Sequence, residues 1–130
     1  MWDPLRKKEV ASTPEEQVRQ WFIVQLRDVF MVPLHQMMSE VGMKFGHKQY
    51  RADILVYAPG GAPLAVVECK RPDVELSASV LEQAMRYNMV LDVRWLIVTN
   101  GSHTYIYERS NDNFTAYAGL PDYMRMCKIQ

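Results

Sequence analysis

The chain has 130 residues, enough for one domain with one core and too few for two. Apolar residues make up 48%, which excludes a disordered tail, and the formal net charge of zero excludes a chain that holds nucleic acid by its overall charge. Its two cysteines, Cys69 and Cys127, are far apart and form no CxxC, so neither a disulfide framework nor a zinc ribbon is expected, and a reducing cytoplasm fits best. Arg6, Lys7 and Lys8 are not followed by an apolar stretch, so no signal peptide is expected, and no apolar run approaches a membrane span.

Residues 1–12 read as a polar lead-in, and 13–130 as a single domain. Thr13-Pro14-Glu15-Glu16 predicts a helix start: Thr13 caps, Pro14 takes the first position, and Glu16 completes a capping box. Val18, Trp21, Phe22, Leu26, Val29 and Phe30 follow at helical spacing, giving a helix over 14–30 with Trp21, Phe22 and Phe30 in the core. Pro33 ends it. Residues 36–44 read as a first strand. Residues 51–58, with Asp53-Ile54-Leu55-Val56-Tyr57, read as a second. The turn Pro59-Gly60-Gly61 leads into a third over 64–70, apolar on both faces and therefore central. A helix capped by Ser77 or Ser79 runs to about Leu91, with Val80, Leu81, Ala84, Tyr87 and Leu91 on its apolar side. Strands over 94–99 and 104–108 flank the Asn100-Gly101 turn. The rest of the tail carries no assignable pattern. The order α-β-β-β-α-β-β predicts an α/β fold with a mixed central sheet flanked by helices.

One feature breaks the pattern. Glu68 and Lys70 sit on the same face at the end of an otherwise apolar strand. Burying two charges there is costly unless they pair or bind something. Asp53 opens the neighbouring strand, and an antiparallel pairing brings it beside Glu68. Two adjacent carboxylates repel unless a cation lies between them. A hard divalent ion such as Mg²⁺ would take Asp53, Glu68 and the backbone carbonyl of Cys69 as oxygen donors. Lys70 would then orient an attacking water and stabilise charge building on a phosphate. The residues alone fit equally a strand-start aspartate beside a same-face ion pair.

The surrounding motifs narrow the choice. Asp53 followed after a turn by Glu68-Cys69-Lys70 resembles the PD-(D/E)XK nuclease superfamily. Arg51-Ala52-Asp53-Ile54-Leu55-Val56-Tyr57, Val66-Val67-Glu68-Cys69-Lys70, Gln83 to Asn88 and Thr99-Asn100-Gly101 are similar to the N-terminal nuclease domain of type I restriction enzyme R subunits, as is the opening Pro14 to Gln20. The similarity covers residues 13–108. It implies a restriction-endonuclease-like fold and a Mg²⁺- or Mn²⁺-dependent DNA endonuclease. Asp53 and Glu68 would bind the metal and Lys70 would be the catalytic lysine. Gln83 and Tyr87, one helical turn apart, would contact DNA or support the site. The family's first helix often supplies a glutamate, which either Glu15 or Glu16 matches; Glu16 is favoured. Arg51, Lys44, Lys48, Arg71 and Arg86 are candidates for phosphate contact, with Arg51 foremost. His35, His47 and His103 show no ligand spacing.

R subunits carry a helicase motor after the nuclease, and this chain has no GxxxxGK[ST]. The implied partners are DNA, with motor and specificity subunits, and no membrane. Cutting both strands would call for two active centres and hence a homodimer. The competing expectation is a catalytically silent nuclease-fold module that binds or works only within a larger complex; the neutral charge points that way.

Overall fold

The computed structural model describes residues 1–128; Ile129 and Gln130, the last two of the expected 13–130 domain, lie outside the described residues. Its centre is a six-stranded mixed sheet with strands in sequence order: β3 (Met37–Phe45), β4 (Lys48–Tyr57), β5 (Pro63–Cys69), β6 (Trp95–Thr99), β7 (Thr104–Ser110) and β8 (Asn113–Ala116). All neighbours are antiparallel except β5 and β6, which are parallel. A parallel pair needs a crossover, and α2 (Ala78–Asn88) supplies it. The predicted α/β mixed sheet is thus the observed one.

The sheet separates two cores. On one face, Val18, Phe22, Ile23 and Leu26 of α1 (Pro14–Asp28) pack on Ile54, Val56, Val67, Trp95 and Ile97. Met126 of α3 (Tyr123–Cys127) closes the same core, and Trp95 Nε1 donates to its carbonyl at 3.0 Å. On the other face, Ala84 of α2 packs with Leu55, Val66, Leu96 and Val98. The apolar central strands feed both cores by alternation, which is why they read as continuous apolar runs.

Two short connections fix the register that matters. β3 and β4 pair Phe45 with Lys48, leaving Gly46-His47 as the turn, and Gly46 takes φ +64°. The Pro-Gly-Gly turn between β4 and β5 places Gly61 at φ +93°.

Several expectations are corrected. Residues 1–12 are not a plain lead-in: β1 (Trp2–Asp3) and β2 (Lys8–Glu9) pair, and Asp3 is fully buried. Its carboxylate accepts from the backbone of Leu5 and Arg6, from Ser39 and from the Arg6 guanidinium. α1 ends at Asp28, two residues early, and Trp21 is 41% exposed, because the buried stripe is Val18, Arg19, Phe22, Ile23 and Leu26 and Trp21 points off it. The capping box is half formed. Thr13 Oγ1 accepts from Glu16 N, but the Glu16 carboxylate turns to arginines instead. Ser77 is the cap of α2, and the tail adds β8 and α3.

Candidate active site

The site lies where β4 begins and β5 ends. The register Ile54↔Val67 sets Asp53 beside Glu68. Alternation slips here: Ala52 joins the same core as Leu55, not that of Ile54. Opposite, Glu40 lies between the pairs Ser39↔Ile54 and Val41↔Ala52, itself unpaired in the register and at φ +55°. The slip lets the Asp53 carboxylate reach toward α1. Its Oδ1 accepts from Arg19 Nη2 at 2.9 Å and its Oδ2 from the Cys69 backbone N–H at 2.7 Å.

Glu68 is held from the other side of the sheet. Its Oε2 pairs with Lys70 Nζ at 3.0 Å, and its Oε1 accepts from Asn88 Nδ2 at 3.2 Å. Asn88 is buried at the end of α2 and also donates to the Ala84 carbonyl at 2.8 Å. Lys70 lies one residue past the end of β5, where its N–H still donates to Thr99 O.

A cleft of about 680 Å³ opens over this point. Asp53, Glu68, Cys69 and Lys70 line it, as do Gln83 and Tyr87 of α2. Tyr87 packs at a tilt against Tyr50 with ring centroids 5.1 Å apart, and its hydroxyl accepts from Arg51 N at 3.1 Å. Lys48, Arg51 and Arg86 also line the cleft, whereas Lys44 and Arg71 do not. The three histidines are exposed and do not line it.

The helix glutamate is where geometry departs from expectation. Glu15, not Glu16, lines the cleft. Glu16 is one step round the helix and buried, its carboxylate taking bonds from Arg6, Arg19 and Gln20. Burial works against its charge, but those bonds outweigh burial and hold the carboxyl below its usual range. Cys69 is buried in the α1-side core, and burial pushes its thiol well up.

Sequence reasoning missed Arg19, Glu40 and Asn88. Arg19 is nearly buried, and its guanidinium meets four carboxylates: Glu16 at 2.8 Å, Glu40 at 2.6 Å, Asp53 at 2.9 Å and Glu15 at 3.2 Å. Burial opposes its charge, but Asp53, Glu40 and Glu16 hold it firmly protonated. The available signal was an arginine within the buried stripe of α1, the same oddity that drew attention to Glu68.

A hard divalent ion takes one or two carboxylates and keeps several waters. Asp53, Glu68 and Glu15 offer oxygens to one cleft, so the donor chemistry fits such an ion. Among the described residues, no three acidic, histidine or cysteine side chains are already gathered as a ligand cluster. An ion there would be held by Asp53 and Glu68 and completed by water and backbone.

Comparison with known proteins bears on the family and the fold. The family model described as type I restriction enzyme R protein N terminus (HSDR_N) matches residues 14–122. The chain belongs to this family. The fold is similar to that of a candidate nuclease belonging to DUF820 from Anabaena variabilis ATCC 29413, at a TM-score of 0.50 and 15% identity, covering 87% of this chain and 72% of that one. That similarity supports a restriction-endonuclease-like fold. A comparison with proteins of curated function finds no match. No helix among the described residues is long and apolar enough to cross a membrane.

Proposed function

We propose that this HSDR_N domain is a Mg²⁺- or Mn²⁺-dependent DNA endonuclease centre. The observation that carries the proposal is the convergence of Asp53, Glu68 and Lys70 on one cleft lined by Lys48, Arg51 and Arg86. Asp53 and Glu68 would hold the ion, with the Cys69 carbonyl as a further oxygen donor. When bound, the ion would polarise a phosphate and lower the pKa of a water.

The chain's own residues do the rest. Asn88 fixes the Glu68 carboxylate by its amide. The Cys69 N–H and Arg19 fix Asp53. Lys70 is partly exposed and lies within reach of both Glu68 and the cleft. Its ammonium would orient the attacking water and stabilise charge on the phosphate. Arg51, Lys48 and Arg86 would position the backbone of a duplex without reading its sequence. Gln83 and Tyr87 would line its path. The reading places the protein in the cytoplasm, with motor and specificity subunits as partners and a dimer for double-strand cuts.

The test is cleavage of supercoiled plasmid with Mg²⁺ or Mn²⁺. Wild type should nick or linearise it; Asp53→Asn and Lys70→Ala should lose about a hundredfold or more in rate. No cleavage with any divalent ion, alone or with the partner subunits, would sink the enzyme reading. A second reading, a silent module within a larger complex, is favoured by the zero net charge. It predicts DNA retention by the assembled complex with no cleavage.

A further inference from the structure

We propose that Arg19 is the built-in cation of this centre: it positions Asp53 and competes with the divalent ion for it. The inference rests on the reading that Asp53 binds such an ion.

Charge bookkeeping around α1 supports it. Glu15, Glu16, Glu40 and Asp53 all touch Arg19. Three guanidiniums touch this group: Arg19 itself, Arg6 on Glu16 and Arg51 on Glu40. Arg6 also holds Asp3, so five negative against three positive charges leave two net negative charges in a partly buried setting. The bonds are unevenly shared as well. Arg19 Nη2 carries two protons but faces three carboxylates, those of Glu15, Glu40 and Asp53. Arg19 Nε, by contrast, is buried with no partner. Arg19 is thus held by charge rather than by a satisfied hydrogen-bond set, and its grip on Asp53 Oδ1 is one of several alternatives. A divalent ion arriving at Asp53 meets a positive charge 2.9 Å from its ligand oxygen. Two cations sharing one carboxylate oxygen stand only a few ångströms apart, where like charges repel. The guanidinium has Glu15 and Glu40 to turn to, so it can yield Asp53 without losing its neutralisation.

Arg19 is a positioning residue in this scheme and touches no substrate. Removing its charge should strengthen ion binding, the opposite of what loss of a purely structural residue would do. The experiment is Mn²⁺ binding followed by electron paramagnetic resonance in wild type, Arg19→Met and Arg19→Lys. Arg19→Met should bind Mn²⁺ at least about tenfold more tightly, and Arg19→Lys, which keeps the charge, should stay within about threefold of wild type. Wild type binding Mn²⁺ while a folded Arg19→Met binds no more tightly would overturn the inference and leave the metal reading standing. Absence of binding in wild type and both variants would overturn the metal reading and this inference with it. Should Arg19→Met not fold, the wild type decides. Saturating Mg²⁺ must quicken solvent exchange of the Arg19 guanidinium protons in ¹⁵N NMR, and unchanged exchange would overturn the proposal.

Discussion

Asp53 and Glu68 sit side by side in the cleft yet belong to different halves of the molecule. Asp53 is gripped from the α1 side, where Arg19 ties it to Glu15, Glu16 and Glu40, and Arg6 extends the network to buried Asp3. Glu68 is held from the α2 side by Asn88 and the partly exposed Lys70. The first half is a dense, largely buried ion network; the second is sparse and open. Dense networks set position at the expense of availability, because each buried charge depends on its neighbours. Sparse ones leave a charge free to meet a ligand.

That contrast can be broken from either side. Arg19→Met should give the largest loss of stability, roughly 3 kcal/mol or more, because it leaves buried carboxylates without their partner; urea unfolding without divalent ion measures it. Asn88→Ala should cost about 1–2 kcal/mol, the worth of one buried amide bonded to a charged group and a carbonyl. Lys70→Met should change stability by less than about 1 kcal/mol, since its pair with Glu68 is partly exposed. If Lys70→Met instead unfolds the protein, the open half is structural after all.

Acid should weaken the α1 side. The folded-state pKa values of Asp3 and Glu16 are held down by their arginine partners, against the pull of burial. Their contribution is therefore present above the usual carboxylate range and is lost as pH falls below about 4, through the lowered values. Thermal melts from pH 7 to pH 3 should show this decline, and Glu16→Gln should flatten it.

The open half was legible in the sequence and the dense half was not. Glu68 and Lys70 stood out because β5 is otherwise apolar, and Asp53 because the Pro-Gly-Gly turn made the antiparallel neighbour predictable. The strand ladder was legible for the same reason, through runs of Val, Ile and Leu between turn residues. Arg19 was hidden by its surroundings: an arginine beside Glu15, Glu16 and Gln20 reads as helix surface unless the stripe is known to run through Ile23 rather than Trp21. The same uncertainty in helix phase put Trp21 in the core and favoured Glu16 over Glu15. Glu40 depends on a positive φ in mid-strand, which no pattern announces. The β1–β2 hairpin is only two residues per strand, and side-chain bonds to Asp3 hold its turn rather than any periodicity. The family resemblance named Asp53, Glu68 and Lys70 but did not report which charges neutralise them.

The central claim is that Asp53 and Glu68, though held by opposite layers, serve one ion. A double-mutant cycle on Mn²⁺ affinity, using Asp53→Asn, Glu68→Gln and both together, tests it most directly. Residues acting on one ion should be strongly non-additive, with either single change abolishing most of the affinity that the double change removes. Additive losses, or Mn²⁺ binding that survives both changes, would contradict the account.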